Sequence, residues 1–206
     1  SGFADSIASL KTNHPLASPN ALTVYEAHVR DFTADSSWIS NSGNKNGTYL
    51  AFAESGTTYG GSGATYKTGI DHLEELGVNA VQLMPVFDQD NDERTYETTT
   101  NGVTTEVTPG YNWGYNPLNY NVVEGSYSSD PYKPMTRVKE FKTLVKALAD
   151  KGMRTIMDVV YNHVSSVSSS AFNVLMPKYY FRVNSDGSYS SGTGCGNDFA
   201  SEKTMA

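Results

Sequence analysis

Three short runs of apolar and β-favouring residues recur along the chain, at residues 21–29, 79–84 and 154–160. The first is rich in β-formers. The second and third are short apolar stretches bounded by polar residues or Pro, which is typical of strands buried on both faces in a parallel sheet. We therefore predict a strand over each of the three runs.

Two segments between these runs have a helical period instead. Thr68 with Asp71 predicts a capping box that begins the first helix, and Gly77 ends it. Its predicted apolar face consists of Ile70, Leu73 and Leu76. The second helix is predicted to begin at Thr136 and to stop at Gly152. Its apolar positions recur at three- and four-residue steps, at Val138, Phe141, Leu144, Val145 and Leu148.

The order strand, helix, strand, helix, strand predicts a parallel sheet with right-handed crossovers. Such a unit opens either a (β/α)8 barrel or a doubly wound nucleotide-binding sheet. The nucleotide-binding class needs a Gly-rich turn directly after a strand. Here Arg-Asp-Phe follows the first predicted strand and Pro-Val-Phe follows the second. The pattern therefore favours the barrel.

The remaining segments lack a clear period. Residues 1–20 carry few large apolar side chains and suggest a linker or the end of a preceding domain. The stretch 86–135 is too long for a plain connection, and loops of that length are usually functional or disordered. Within it, the acidic run at 88–93 is expected to be a solvated turn, because it lacks the Gly and closing Glu of a calcium loop.

Composition narrows the classes of partner. The 206 residues carry a formal charge of −7, which argues against nucleic acid or an anionic membrane. Tyr, Ser, Thr, Asn and Gly are abundant, which suits a neutral, hydroxyl-rich ligand.

Cys195 is the single cysteine, so an internal disulfide and a CxxC metal site are both excluded, and we expect a passive thiol. Because the chain begins with Ser-Gly, we expect a processed product or a piece of a longer protein.

Polar side chains follow the third predicted strand. Asp158 lies where the apolar run ends, and Asn162 and His163 begin the loop beyond it. The carboxyl end of a parallel strand is where barrel enzymes keep their chemistry. The alternative is a buried aspartate satisfied by backbone N–H groups and a histidine with an ordinary loop contact. His28, within the first predicted strand, is expected to be a core or edge histidine.

An aromatic run, Tyr-Asn-Trp-Gly-Tyr-Asn-Pro, occupies residues 111–117 of the long excursion. Gly114 permits an unusual backbone turn, and Pro117 fixes the exit from it. Aromatic faces suit the C–H face of a pyranose, and tyrosine hydroxyls can bond its rim. Trp113 could equally be a hydrophobic plug at one end of a barrel, whereas we expect Tyr115 to contact a ligand.

Four segments together resemble type I pullulanases, which belong to the α-amylase family of retaining glycoside hydrolases. They are residues 24–32, 111–117, 158–163 and 194–198, and they occur in the family's order. The resemblance covers residues 21–206. It implies the first strands and helices of a (β/α)8 barrel, with a long loop between strand 2 and helix 2 and with the chain cut after strand 3 and its loop. Residues 21–206 would then be the N-terminal part of the catalytic domain.

The resemblance also implies roles for particular residues. Tyr115 resembles the tyrosine that stacks under the sugar at the cleavage subsite, Asp158 the aspartate that positions that sugar, and His163 the histidine that bonds its hydroxyls. Asn162 matches a calcium ligand of many α-amylases, although debranching members often lack that site; no other cofactor is expected. The nucleophile and the acid/base are expected after residue 206, so no catalytic carboxylate is assigned in this chain.

The implied activity is hydrolysis of α-1,6-glucosidic bonds in pullulan, starch or glycogen fragments. Alternatives are an isoamylase- or limit-dextrinase-type debranching enzyme, or a non-catalytic carbohydrate-binding fragment. The expected partners are an α-glucan and the remainder of the barrel, with no nucleic acid and no membrane insertion. A polymeric substrate suggests an extracellular or cell-surface location. The isolated chain is expected to be inactive.

Overall fold

The computed structural model describes residues 2–60, 66–91, 96–107 and 113–204. Its helices are α1 Phe3–Asn13, α2 Tyr49–Phe52, α3 Gly69–Glu75, α4 Pro134–Asp150 and α5 Ala171–Leu175. Its strands are β1 Val24–Ala27, β2 Trp38–Ile39, β3 Thr58–Tyr59, β4 Ala80–Leu83, β5 Phe87–Gln89, β6 Tyr96–Thr100, β7 Val103–Val107, β8 Pro117–Val123 and β9 Arg154–Met157. Within the described residues no helix has both the length and the apolar character needed to cross a membrane.

The three predicted strands pair side by side in a parallel sheet of order β1-β4-β9, which confirms the predicted strand order and parallel pairing. In register, Val81 of the central strand lies between Tyr25 and Thr155. Each strand is shorter than its predicted run, although single hydrogen bonds continue beyond the ends: the N–H of Asp158 donates to the carbonyl of Leu83 at 3.0 Å. The parallel pairing therefore delivers Asp158 to the carboxyl edge of the sheet.

Strand β9 departs from the prediction of a strand buried on both faces. Its first three residues are half-buried and Met157 is 39% exposed. The reason is its position, because β9 pairs with β4 and forms one edge of this sheet in the described part of the chain. Only the central strand β4 has the buried pattern that the sequence suggested for both.

The two predicted helices cover one face of the sheet. Ile70 and Leu73 of α3 pack with Leu144 and Leu148 of α4 in a single core cluster that also holds residues of β1 and β4, and all four are fully buried. Burying each such side chain is worth about 1.5–3 kcal/mol in transfer free energy. Leu76, predicted on the buried face, is instead 56% exposed because it is the C-cap residue where α3 ends.

The helix starts also differ from prediction. Thr68 is the N-cap of α3, but its side chain makes no cap hydrogen bond and donates to the Thr57 hydroxyl at 2.9 Å. Asp71 accepts from the Gly56 N–H at 2.6 Å and pairs with Lys151 at 2.7 Å. The predicted capping box is therefore wrong, because these tertiary partners replace it. Helix α4 begins earlier than predicted, with a proline in its first turn.

Helix α1 occupies a segment for which the sequence predicts no helix. It packs along α4, and Lys142 of α4 lies over the Phe3 ring, 5.7 Å from its centroid. Leu10 is buried, and the guanidinium of Arg154 donates to the carbonyl of His14. Three apolar residues, Phe3, Ile7 and Leu10, have helical spacing, but they are too few to separate this segment from a linker by period alone. The boundary proposed after residue 20 stays a prediction.

The described part of the long excursion contains the four strands β5 to β8. Strand β5 pairs antiparallel with β8, and β6 pairs with β7 in a hairpin. Asp88, predicted in a solvated turn, lies in β5, where it accepts from Asn119 at 2.6 Å and pairs with Arg137 at 3.5 Å. That part of the acidic-turn prediction is wrong, because cross-strand and helix partners take the carboxylate out of solvent. Asp92 and Glu93 lie outside the described residues.

The chain after β9 forms a second core cluster built mainly of aromatic side chains. Asn197 ties this cluster to the loop after β9, because its amide both accepts from and donates to the backbone of Val164, at 3.0 and 2.9 Å. Asp198 accepts from the Ser190 hydroxyl at 2.6 Å and from the N–H groups of Gly192 and Thr193 at 2.8 and 2.9 Å. The hydrogen bond from Ser190, followed by those from the backbone, holds the pKa of Asp198 well below its usual range.

Replacing Leu148 with Ala should remove a fully buried side chain from the helix–sheet interface. We expect the free energy of unfolding to fall by about 2–5 kcal/mol through lost burial and the cavity left behind. The matched control is Leu175→Ala, since Leu175 is 78% exposed, and its effect should lie within about 0.5 kcal/mol. Denaturant titration of the full-length variants measures both, and equal losses would contradict this core assignment.

Replacing Asp198 with Asn should destabilise the protein at neutral pH, because an amide donor would face the Gly192 N–H. The folded state holds the Asp198 pKa below its unfolded value, so the carboxylate contributes stability above the unfolded pKa and loses it as pH falls. The difference in melting temperature between wild type and Asp198→Asn should therefore shrink below about pH 4. A difference that stays constant down to about pH 3 would contradict this.

Candidate functional site

Three side chains predicted to share a site meet at the carboxyl edge of the parallel sheet. The hydroxyl of Tyr115 donates to Oδ2 of Asp158 at 2.7 Å. The imidazole Nε2 of His163 lies 2.8 Å from the backbone carbonyl of Tyr115, so Nε2 carries the proton and donates. The predicted convergence of Tyr115, Asp158 and His163 is confirmed, although the residues come from an excursion, a strand end and a loop.

Tyr115 is half-buried and its hydroxyl is held as a donor. Burial first, and then the hydrogen bond to and the charge of Asp158, raise the pKa of Tyr115 to about 12. The phenol is therefore protonated throughout the neutral range, and the tyrosine points its O–H at the carboxylate. This bond fixes the ring without covering it.

His163 is almost completely buried, with 6% of its surface exposed. Its Nε2 is used by the Tyr115 carbonyl, and its buried Nδ1 has no hydrogen-bond partner among the described residues. Its own carbonyl accepts from the hydroxyl of Tyr120 at 2.6 Å. In this arrangement His163 supports the Tyr115 backbone, and its implied contact with sugar hydroxyls stays a prediction.

The turn that carries Tyr115 depends on Gly114. Its φ is +95°, and a Cβ there would lie 2.8 Å from both Oε1 of Gln89 and the carbonyl of Pro85. No side chain fits this position, which confirms the predicted need for glycine. Trp113 is 58% exposed, so it does not plug the described core. Tyr111 and Asn112, which the sequence placed in the same platform, lie outside the described residues.

Two further polar residues, which the sequence analysis did not single out, lie on the sheet face beside the site. Glu26 of β1 and Gln82 of β4 are register partners, and the Gln82 amide donates to Glu26 Oε1 at 3.3 Å. The negative charge of Glu26 adds to the rise of the Tyr115 pKa. The sequence does contain a signal for these two residues. Successive strand residues point to opposite faces of a sheet, and Glu26 and Gln82 are polar residues that interrupt otherwise apolar runs on one face. Together with Asp158, they make this edge acidic and rich in acceptors.

Asn162 is the residue that the sequence predicts as a possible calcium ligand. Across residues 2–60, 66–91, 96–107 and 113–204, no group of three or more His, Cys, Asp or Glu side chains is placed to hold an ion. Asn162 is exposed, and its backbone carbonyl accepts from the N–H of Phe199 at 2.9 Å. Calcium at Asn162 stays a prediction.

The remaining candidates have structural roles. Cys195 is a free, exposed thiol whose sulfur contacts the Thr193 carbonyl, and the passive role expected of it stays a prediction. His28 is buried, as predicted for a core histidine, and its Nε2 lies 3.0 Å from the hydroxyl of Tyr127.

Comparison with known proteins places these features in a family. Residues 50–179 match the alpha-amylase family, described as the alpha amylase catalytic domain. The chain is 42% identical to a pullulanase of Bacillus subtilis over 196 residues, covering 93% of this chain and 24% of that protein. Among solved structures, the pullulanase of Paenibacillus barengoltzii in complex with maltohexaose and alpha-cyclodextrin superposes with a TM-score of 0.79 at 40% identity, covering 98% of this chain and 30% of that one.

The pullulanase of Bacillus acidopullulyticus superposes with a TM-score of 0.76, also at 40% identity, covering 96% of this chain and 23% of that one. This chain thus spans roughly a quarter to a third of the length of these proteins. The matches confirm the resemblance drawn from the four segments, and they agree with a barrel-type α/β fold in which helices cover a parallel sheet. The chain belongs to the alpha-amylase catalytic domain family and is similar, within it, to type I pullulanases.

Proposed function

We propose that this chain forms part of the sugar-binding site of a debranching glycoside hydrolase that cleaves α-1,6-glucosidic bonds in pullulan and in branched starch or glycogen fragments. One observation carries the proposal: Tyr115, Asp158 and His163 are joined by hydrogen bonds at the carboxyl edge of the parallel sheet. In barrel enzymes this edge holds the active site. The Paenibacillus barengoltzii relative, crystallised with maltohexaose and alpha-cyclodextrin, supports an α-glucan as the ligand.

The chemistry of the edge suits a glucan. The ring of Tyr115 is anchored through its hydroxyl and its backbone, which leaves an aromatic face for the C–H face of a glucose unit. The carboxylate of Asp158 can accept a sugar hydroxyl in addition to the tyrosine, since a carboxylate offers about four lone-pair sites. The binding surface is neutral to acidic, as expected for an uncharged ligand.

The proposed reaction is double displacement with retention, through a covalent glycosyl-enzyme intermediate. It needs two carboxyl groups roughly 5 Å apart, one as nucleophile and one as acid/base. Asp158 is not proposed for either role. Its Oδ2 accepts the hydrogen bond of the Tyr115 hydroxyl, and Asp158 belongs with Tyr115 and His163 to the residues proposed to position the sugar. In this proposal β1, β4 and β9 are the first three of eight barrel strands, and the rest of the barrel supplies the reacting groups.

Two further parts of the proposal follow from the substrate and the family. No cofactor is required for the displacement itself, and calcium at Asn162 would be structural. A polymeric glucan outside the cell would place the protein in an extracellular or cell-surface location.

Replacing Tyr115 with Ala in the full-length protein should remove the stacking surface while leaving the buried helices intact. An aromatic contact contributes about 1 kcal/mol beyond its area burial, and part of it is expressed only at the transition state. We expect kcat/KM on pullulan to fall at least about tenfold, for which about 1.4 kcal/mol suffices. The matched control is Tyr66→Ala, an exposed tyrosine beside β3, which should keep wild-type kinetics. Early melting with unchanged kcat/KM for Tyr115→Ala would mean that the aromatic run is structural.

The substrate class can be tested with the wild-type full-length protein, without any substitution. We expect release of reducing ends from pullulan, whose regular α-1,6 bonds link short maltooligosaccharide units. A clear preference for glycogen or amylopectin over pullulan would favour the isoamylase-type alternative. Glucan binding without any release of reducing ends would favour the non-catalytic binding module and contradict the proposed hydrolysis.

A further inference from the structure

We propose that Gln89 is a positioning residue for the candidate site: its side chain supports the Gly114 turn and so fixes where Tyr115 presents its ring to a glucan. The inference rests on the proposed function and extends it to a residue outside the sugar-contacting set. Gln89 is the last residue of β5 and is 1% exposed, so it reaches no ligand directly.

The side chain of Gln89 is held at one end. Its amide Nε2 donates to the hydroxyl of Tyr127 at 3.1 Å, and that hydroxyl lies 3.0 Å from Nε2 of His28. Tyr127 and His28 are themselves buried, and their rings pack edge to face with centroids 5.5 Å apart. This chain of contacts links Gln89 to the residue directly after β1, and hence to the parallel sheet.

The backbone of Gln89 is held as well. Its N–H donates to the carboxylate of Glu124 at 2.9 Å, and the N–H of Ser126 donates to the same carboxylate at 2.8 Å. Glu124 is fully buried, and its burial raises the pKa of that carboxyl. A buried carboxyl group with two backbone donors is expensive to disturb, so both ends of Gln89 are fixed.

The second polar atom of the same amide, Oε1, lies against the turn that carries Tyr115. Oε1 of Gln89 is buried and accepts no hydrogen bond from the described residues, yet it lies 2.8 Å from the point where a Cβ on Gly114 would be. Leaving a buried amide oxygen unpaired is costly, and such groups call for an explanation. Here the oxygen forms one wall of the turn whose next residue is Tyr115, and His163 holds that residue from the other side through the Tyr115 carbonyl.

A hydrophobic residue of equal length would fill the same space but would lose the bond to Tyr127 that sets the direction of the side chain. The test is therefore Gln89→Met in the full-length protein, alone and combined with Tyr115→Ala. We expect Gln89→Met to lower kcat/KM on pullulan by roughly ten- to a hundredfold, the scale of a slightly misplaced binding group. In the Tyr115→Ala background the same substitution should change kcat/KM by less than about twofold, since neighbouring groups that act through one another are non-additive.

A second variant, Tyr127→Phe, removes only the hydroxyl that anchors the Gln89 amide. We expect a smaller loss of kcat/KM from it, with the same non-additivity when it is combined with Tyr115→Ala. This variant provides the test if Gln89→Met does not fold. The matched control is Glu140→Gln, a buried polar residue of α4 whose carboxylate is bonded to Ser129 and not to the turn. Glu140→Gln should lower the melting temperature without moving kcat/KM.

Each outcome has a distinct meaning. If the losses of kcat/KM from Gln89→Met and Tyr115→Ala multiply in the double variant, Gln89→Met causes general structural damage, and the positioning role is overturned. Wild-type kcat/KM in both Gln89→Met and Tyr127→Phe, while Tyr115→Ala is impaired, would overturn this inference and leave the proposed function standing. A wild-type protein with no activity on any branched glucan would overturn the proposed function and this inference together.

Discussion

Parallel pairing of β4 on both of its edges is the constraint on which the rest of the structure depends. Parallel neighbours cannot be joined by tight turns, so each connection must cross over the sheet, and α3 and α4 provide the helical part of those crossovers. The helices bury their apolar stripes against β4, which is why Leu73 and Leu148 are fully enclosed. The same pairing turns the carboxyl ends of β1, β4 and β9 toward one edge. Asp158 lies at that edge because β9 pairs with β4 in a register that sets Met157, the residue before it, opposite Leu83.

The site is also held in place by polar contacts within the excursion between β4 and α4. Tyr115 lies in that excursion, far along the chain from Asp158, and no local period fixes its place. The turn at Gly114 is held by close contact with Pro85 and Gln89, and β5 is held by the buried carboxylate of Glu124. A hydrophobic core would tolerate small shifts here, whereas hydrogen-bonded groups out of water do not. The excursion can therefore present an aromatic ring with the rigidity that ligand recognition requires.

How much of the structure can be predicted from the sequence depends on whether a feature is set by neighbouring residues or by contacts between distant parts of the chain. The strands and both main helices were predictable, because their apolar periods are encoded locally and parallel topology orders the strands. The meeting of Tyr115 with Asp158 and His163 was predictable through the resemblance to pullulanases, because no local period fixes the place of Tyr115. Helix α1 was missed because its few apolar residues have meaning only against α4. The capping box failed because Asp71 has a tertiary partner in Lys151. The pairing of β5 with β8 and the two hydrogen bonds between Asn197 and Val164 were equally hidden, since these contacts join distant parts of the chain and leave no repeat in the sequence.

The burial of His163 changes how its part in the site is understood. Its Nε2 donates to the Tyr115 carbonyl and its Nδ1 is buried, so the described hydrogen bond of the ring goes to the Tyr115 backbone, while its contact with sugar hydroxyls stays a prediction. Two separate groups, His163 and Asp158, therefore restrain opposite parts of one residue: the first holds its backbone and the second holds its hydroxyl. A ring restrained at both ends cannot swing away when a ligand approaches, so the entropy of ordering it has already been lost on folding. Under the proposed function, the histidine would strengthen glucan binding through Tyr115, and the remaining acceptor sites of Asp158 would meet a sugar hydroxyl.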